Sequence, residues 1–496
     1  MKKSSLFISV PIALIVGFGV YLGLIRLGVL PNASALPELV VRVYEGNPFY
    51  WTINGQPTLL RGGSDGDSLW NYPAFQGEAL LEHLDALQAA GGNYIRAVMG
   101  SREQSVDGIE AVYPFARISG GELDGIYDLE VWNEEYFERL AFFLNATRER
   151  GLVVQLEFWD RYEYHGSSLG RKYWANSPWN PERNINYDVE SSGLPVEVTP
   201  ANPGSAPTTH PFFYTTPAQD DNQVVLPFQR AWFDRVVDLT LEHDHIIYSI
   251  GNESPEPFEW VDYWLDRLRG RAAEAGQHVD TTDMKYDNNI HSGATHVYVH
   301  ENPDRYTFID ISQVSAPGVP LDGFRFRIGN LRNRLREAGT VRPLNLVKIY
   351  GTNNLTLQKF WAAIFQGAAA VRFHRPIENF GLGLGEVSTP HIASAALLDR
   401  HFAISDANPD REVFLESDNN EALALRRNDG NAYALLFTGL ADSSLRLALE
   451  PGRWQQRWID VSNASLGQPQ NSQVNDDGLL VSAPGEGFWL LLLERN

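Results

Sequence analysis

The residues able to do chemistry cluster at the ends of apolar runs. The run IIYSIGNE (Ile246–Glu253) closes on an amide and a carboxyl side by side, Asn252 and Glu253. A carboxyl whose pKa is raised by its surroundings can protonate a poor leaving group such as an acetal oxygen, and a second carboxylate can then serve as base or nucleophile. Candidates for the second carboxylate are Glu157 and Asp160 in VVQLEFWD (Val153–Asp160) and Asp283 in HVDTTD (His278–Asp283). Cations and polar aromatics end other runs: Arg96 in YIRAVMG, Lys348 and Tyr350 in PLNLVKIYG, Arg372 and His374 in AAAVRFH. Lys348 allows a Schiff base with a carbonyl compound or, more simply, an ion pair with Glu253 or Asp283. Trp159, Tyr162, Trp174 and Trp179 offer faces that either stack on the C–H surfaces of a ligand or pack a loop. The 12 His are scattered and Cys is absent, so neither a metal nor a cofactor is implied. An Asp-rich loop such as Asp65-Gly66-Asp67 has a composition suited to Ca²⁺.

The elements that carry these residues repeat. Apolar runs near Leu59–Gly63, Tyr94–Gly100, Val153–Asp160, Ile246–Glu253, His278–Asp283, Phe308–Gln313, Pro343–Gly351 and Ala368–His374 alternate with amphipathic stretches of helical period. Continuous apolar strands indicate burial on both faces, which a closed parallel (β/α)8 barrel requires. A doubly wound open sheet shares the alternation, but Arg61-Gly62-Gly63-Ser64-Asp65-Gly66 is not the G-x-G-x-x-G turn of its nucleotide-binding form. The barrel is expected over residues 37–405, entered by a hairpin turning at Asn54-Gly55. A long connection, 161–225, leaves the third strand as a wall or lid over the site. From 409 to 496, short alternating runs separated by Gly, Asn and Asp predict a β-sandwich.

Composition narrows the function classes. A net charge of −22 disfavours nucleic acid. Zero Cys excludes disulfides, thiolate metal sites and Cys nucleophiles. Lys2 and Lys3 precede an apolar run, Leu6–Ile25, long enough to span a bilayer. Residues 1–36 are expected to be a signal anchor, or a signal peptide cleaved near Ala33-Ser34-Ala35. Either device exports the chain, tethered to the membrane or secreted.

Asn252-Glu253 at the fourth strand resembles the signature of glycoside hydrolase clan A, in which the Glu is the acid/base and the Asn holds a sugar hydroxyl. FYWTINGQPTLLRGG and Asn93-Tyr94-Ile95-Arg96 resemble that clan's lead-in hairpin and second strand. The C-terminal region resembles the β-domain of apiosidase-like proteins. WDRYEY, SPWNP, PFFY, GNES, VKIYG and VRFHRP resemble an uncharacterised family of secreted barrel proteins. The resemblance implies a carbohydrate partner and hydrolysis of O-glycosidic bonds. One departure stands against it: the clan's nucleophilic Glu ends the seventh strand, and this chain has Val347-Lys348-Ile349-Tyr350-Gly351. Three readings follow. Asp160, Glu157 or Asp283 completes an inverting pair with Glu253; or the site binds sugar without cleaving it; or Lys348 supports lyase chemistry.

Overall fold

The computed structural model describes residues 38–101, 112–121, 125–164, 173–198, 208–415, 422–439 and 444–496. The expected N-terminal anchor lies outside these residues. Among those described, no helix is long and apolar enough to cross a membrane. Leu39–Asn496 packs as one compact unit.

Eight parallel strands alternate with eight helices: β1 (Leu60–Gly63), α1 (Glu78–Ala89), β2 (Tyr94–Val98), α2 (Glu134–Glu149), β3 (Val153–Asp160), α3 (Leu226–Thr240), β4 (Ile246–Asn252), α4 (Phe258–Glu274), β5 (Thr281–Thr282), α5 (Ala294–Glu301), β6 (Ile309–Asp310), α6 (Leu321–Glu337), β7 (Leu344–Ile349), α7 (Asn354–Phe365), β8 (Ala370–Phe373) and α8 (Thr389–Phe402). The strands form two four-stranded sheets, β2-β3-β4-β5 and β6-β7-β8-β1. Asn93 N donates to Arg61 O across the first gap, and Thr281 N to Thr307 Oγ1 at the second. Neighbours thus follow chain order and return from β8 to β1, the order a closed barrel needs. Every residue of β2, β3, β4 and β7 is buried, which explains their unbroken apolar reading.

The interior is polar midway along. Tyr94, Gln155, Asp310 and Asn345 join by hydrogen bonds, and Trp51 Nε1 closes the network by donating to Asn345 Oδ1 at 2.9 Å. Trp51 comes from the lead-in hairpin, whose turn residues Asn54 and Gly55 take φ of 50° and 75°. That left-handed pair is the turn that matches strand twist.

Several expectations need correction. β5 and β6 shrink to two residues each, and at their junction the Thr307 side-chain oxygen takes the Thr281 N–H in place of a ladder carbonyl. A hairpin, Phe115–Arg117 with Tyr127–Trp132, intrudes between β2 and α2. The connection after β3 holds short helices at Tyr173–Asn176 and Val189–Ser192, so it is partly ordered by its own backbone.

After α8 the chain turns antiparallel. A seven-stranded sheet includes Leu423–Arg427, Ala432–Gly439, Gly452–Asp460 and Gly487–Arg495. Its period-2 alternation serves two cores. Leu425, Ala434, Leu436, Leu490 and Leu492 join the main core, while Ala424, Leu435, Trp454, Leu491 and Leu493 face a second one shared with Leu445, Leu447 and Val481.

Candidate functional site

Glu253 is the residue immediately after β4, and its backbone is left-handed, with φ of 54°. That region is unusual for a Glu and is kept only where surroundings enforce it. Gly251 helps to do so. A Cβ there would lie 2.7 Å from Ser254 Cβ and 2.9 Å from Asp283 Oδ1, so the chain can approach Asp283 only as glycine. Asp283 Oδ1 in turn accepts from Gly251 N at 2.7 Å.

Both oxygens of the Glu253 carboxylate are occupied. Oε1 accepts from Lys348 Nζ and Tyr350 OH, each at 2.8 Å. Oε2 accepts from Tyr162 OH at 2.9 Å and Arg161 Nη2 at 3.3 Å. Burial on its own would raise the Glu253 pKa. The Lys348 ammonium and Arg161 guanidinium, with hydrogen bonds from Lys348 and Tyr350, outweigh burial and hold the carboxyl well below its usual range. This corrects the expectation of a raised pKa: Glu253 is ionised at neutral pH. Lys348 is pushed down to about 8 by burial, which Glu253 only partly offsets, and so remains charged at pH 7. Its ammonium also donates to Asn252 Oδ1, and Asn252 Nδ2 donates to Asp160 Oδ1 at 2.9 Å.

A second ionic group lies beside the first. Arg96 grips Glu157 with two hydrogen bonds of 2.8 and 2.6 Å and also meets Asp67, as does Arg375. His374 Nδ1 is 3.6 Å from Asp67 Oδ1, with its ring 4.8 Å from that of Tyr350. Asp67 therefore serves arginines, in place of the Ca²⁺ its composition suggested. A third group follows β5, where Asp283 pairs with Lys285 at 2.6 Å. Glu256 is buried nearby; neither carboxyl oxygen is held by a well-formed hydrogen bond, although the Ser254 hydroxyl acts to lower its pKa. Burial, then the Asp283 carboxylate, pushes its pKa up to about 8.

The structure thus gathers Glu253, Asn252, Lys348, Tyr350, Tyr162 and Asp160, with Arg96, Glu157 and His374 in the adjoining network. Two other expectations fail. Arg372 is fully buried and donates to Val347 O, Gly66 O and Ser64 Oγ, tying β7 and β8 to the β1 loop. Trp159 packs among Trp232, Trp260, Trp264 and Phe212, under α3 and α4, with no exposed surface for a sugar. Trp174 and Trp179 are likewise buried, leaving Tyr162 as the one of the four aromatics that touches Glu253.

Sequence reasoning overlooked Arg161, Glu256 and Lys285. The first follows Asp160 directly in WDRYEY, and Lys285 comes two residues after Asp283, so position past a strand end could have flagged both. It also overlooked His296 and His300, one turn apart on α5. Burial lowers both pKa values, and no group of three or more metal-capable side chains occurs among the described residues.

A family model described as a domain of unknown function, DUF6298, matches residues 111–285. This span carries β3, β4, β5 and the side chains of Asp160, Arg161, Tyr162, Asn252, Glu253, Glu256 and Asp283. No curated protein matches the sequence. A crystal structure of a glycoside hydrolase family 5 protein from Bacteroides vulgatus aligns with a TM-score of 0.59 at 11% identity, covering 92% of this chain and 94% of that one. Another structure, described as a glycoside hydrolase, gives 0.57 at 10% identity over 93% and 98% of the two chains. At such identities the likeness is one of fold. The chain has a glycoside hydrolase-like α/β fold of parallel strands followed by antiparallel β-structure, with its central third matching the DUF6298 model.

Proposed function

We propose that this protein binds carbohydrate on a closed (β/α)8 barrel, residues 37–405, carrying a β-sandwich at 409–496, and does not cleave what it binds. The observation that supports this reading most is the occupancy of Glu253. Lys348, Tyr350, Tyr162 and Arg161 meet both its oxygens, and the carboxyl is held ionised. An ionised carboxylate has no proton to give a glycosidic oxygen. Lys348 and Ile349 stand where a retaining enzyme would carry its nucleophile. Asp160, Glu157 and Asp283 are each engaged by a neighbour rather than free to activate water. The same groups suit sugar hydroxyls, which can donate to the remaining lone pairs of Glu253 and to the phenol oxygens of the half-buried Tyr162 and Tyr350, whose own protons go to Glu253. Exported behind the apolar run Leu6–Ile25, the barrel would meet extracytoplasmic glycans. Calorimetric titration with neutral oligosaccharides, run beside a reducing-sugar assay, tests the proposal. Binding without release is expected, and release that disappears in Glu253→Gln would overturn it.

One observation favours a second reading, hydrolysis with a different donor. Glu256 keeps its proton at neutral pH and sits three residues beyond Glu253. Carboxyls whose surroundings drive their pKa values apart are the usual division between acid and base. On this reading Glu256→Gln abolishes turnover, whereas the binding reading has no turnover to lose.

A further inference from the structure

Away from the strand ends, α6, the end of α7 and the strands Ala407–Pro409 and Leu423–Arg427 line an open cavity of about 650 Å³. Among the described residues, its wall carries five arginines, Arg332, Arg336, Arg411, Arg426 and Arg427, against two carboxylates, Asp410 and Glu412. Over those described residues of the wall that is a surplus of three positive charges, in a chain whose net charge is −22.

The arginines are not neutralised in the way the barrel-mouth cations are. Arg332 is buried; its Nη1 donates to Gly367 O at 3.0 Å and its Nη2 to Asn408 Oδ1 at 3.2 Å, while Nε has no partner. Arg336, one turn along α6, donates to the same Asn408 Oδ1. Two guanidiniums therefore share one neutral amide oxygen. Burial first, and then Arg336, lower the pKa of Arg332 to about 10, with Tyr50 acting against them. Arg411 lowers the pKa of Arg325 in the same sense, after burial. Among the described residues, Arg427 is the one of the five in an ion pair, with Asp429 and Glu494. Arg336, Arg411 and Arg426 are exposed.

Like charges held together around a concavity are costly unless something of opposite charge enters. Guanidinium forks match carboxylate, sulfate and phosphate oxygens with paired hydrogen bonds. A cavity of this size accommodates a small multivalent ligand. We infer that the cavity is a second binding site, for a compound carrying two or more oxyanion groups. It is independent of the Glu253 reading, since no residue is shared.

The test uses the full chain and three probes: trigalacturonate, neutral galactotriose and pyrophosphate. Calorimetry should show one-to-one binding of trigalacturonate, pyrophosphate or both, weakening as salt rises. Arg411→Glu combined with Arg426→Glu should weaken it roughly tenfold or more. Both side chains are exposed, so an unchanged melting temperature certifies the fold of that variant. Trigalacturonate alone would identify an acidic sugar as the source of the oxyanions, and pyrophosphate binding would extend the site to phosphates. If neither anion binds, or the double variant binds as tightly as the wild type, the inference fails. Galactotriose binding that survives the double variant would belong to the Glu253 site, so the two readings fail separately.

Discussion

The barrel mouth and the junction cavity both concentrate charge, yet they balance it in opposite ways. Around Glu253, Glu157, Asp67 and Asp283, each carboxylate meets a buried cation, and the network closes on itself. Around Asn408, guanidiniums meet a neutral amide and one another. A closed network is expensive to open, because removing one partner strands the other in a medium that cannot solvate it. An unbalanced one loses little when a charge is deleted and gains when an anion arrives. The two regions should therefore answer the same kind of substitution very differently.

Lys348→Met should have the largest effect. It leaves Glu253 buried with Arg161 as its remaining cation, and breaking a buried pair of this kind costs about 3–5 kcal/mol. Urea denaturation at pH 7 measures it, and Lys348→Met with Glu253→Gln should recover much of the loss. The acid limb adds a check. Because the folded pKa of Glu253 lies below its ordinary 4.5, the pair stabilises fully above that value and weakens as pH falls through the folded pKa. In Lys348→Met that weakening should begin at higher pH. A variant as stable as the wild type would mean that the barrel-mouth pairs are not what balances the buried charge.

Part of this contrast is legible in the sequence. Strands buried on both faces read as apolar runs, so polar residues at their ends stand out, and Glu253, Lys348 and Tyr350 were visible for that reason. The same burial hides direction. VVQLEFWD has no polar-apolar alternation, so nothing in it says that Glu157 turns to Arg96 while Trp159 turns outward to α3 and α4. Arg161 and Glu256 lie past the strand ends, where loop geometry rather than period decides what they touch. The cavity was illegible altogether, since it joins Arg332 to Asn408 and Arg426 across two regions of the chain. A charge pattern spread over such distances in sequence has no local signature.

Glu256, just past β4, sharpens the comparison from within the barrel as a buried carboxyl that is not balanced. Burial and Asp283 raise its folded pKa from 4.5 to about 8, and Ser254 and Lys285 only partly oppose them. Below pH 4.5 folded and unfolded chains both hold the proton. Between pH 4.5 and 8 only the folded chain does, so stability falls as pH rises, at most by about 1.4 kcal/mol per pH unit. Glu256→Gln removes this dependence while leaving that of Asp310, raised to about 6 by burial and Glu157, in place. Relative to wild type, the variant should gain stability steadily in denaturation series at pH 5, 6.5 and 8. A constant difference would show Glu256 ionised and paired like its neighbours.

The smallest effect is expected at Arg336→Gln, and it decides whether the cavity differs in kind from the barrel mouth. The side chain is exposed on α6, and the hydrogen bond it gives up leaves Asn408 Oδ1 still served by Arg332 Nη2 at 3.2 Å. Gln and Arg have similar helix propensities, so the helix itself is indifferent to the change. What remains is the removal of a repulsion felt by the buried Arg332, set against the loss of a cation–π contact with Phe49 at 5.3 Å. Stability should stay within about 0.5 kcal/mol of wild type, and high salt should erase any upward shift by screening the same repulsion. A loss above about 2 kcal/mol would place Arg336 in a structural network of the barrel-mouth type. The cavity would then be a seam between two parts of the fold, with its charges already spent on holding them together.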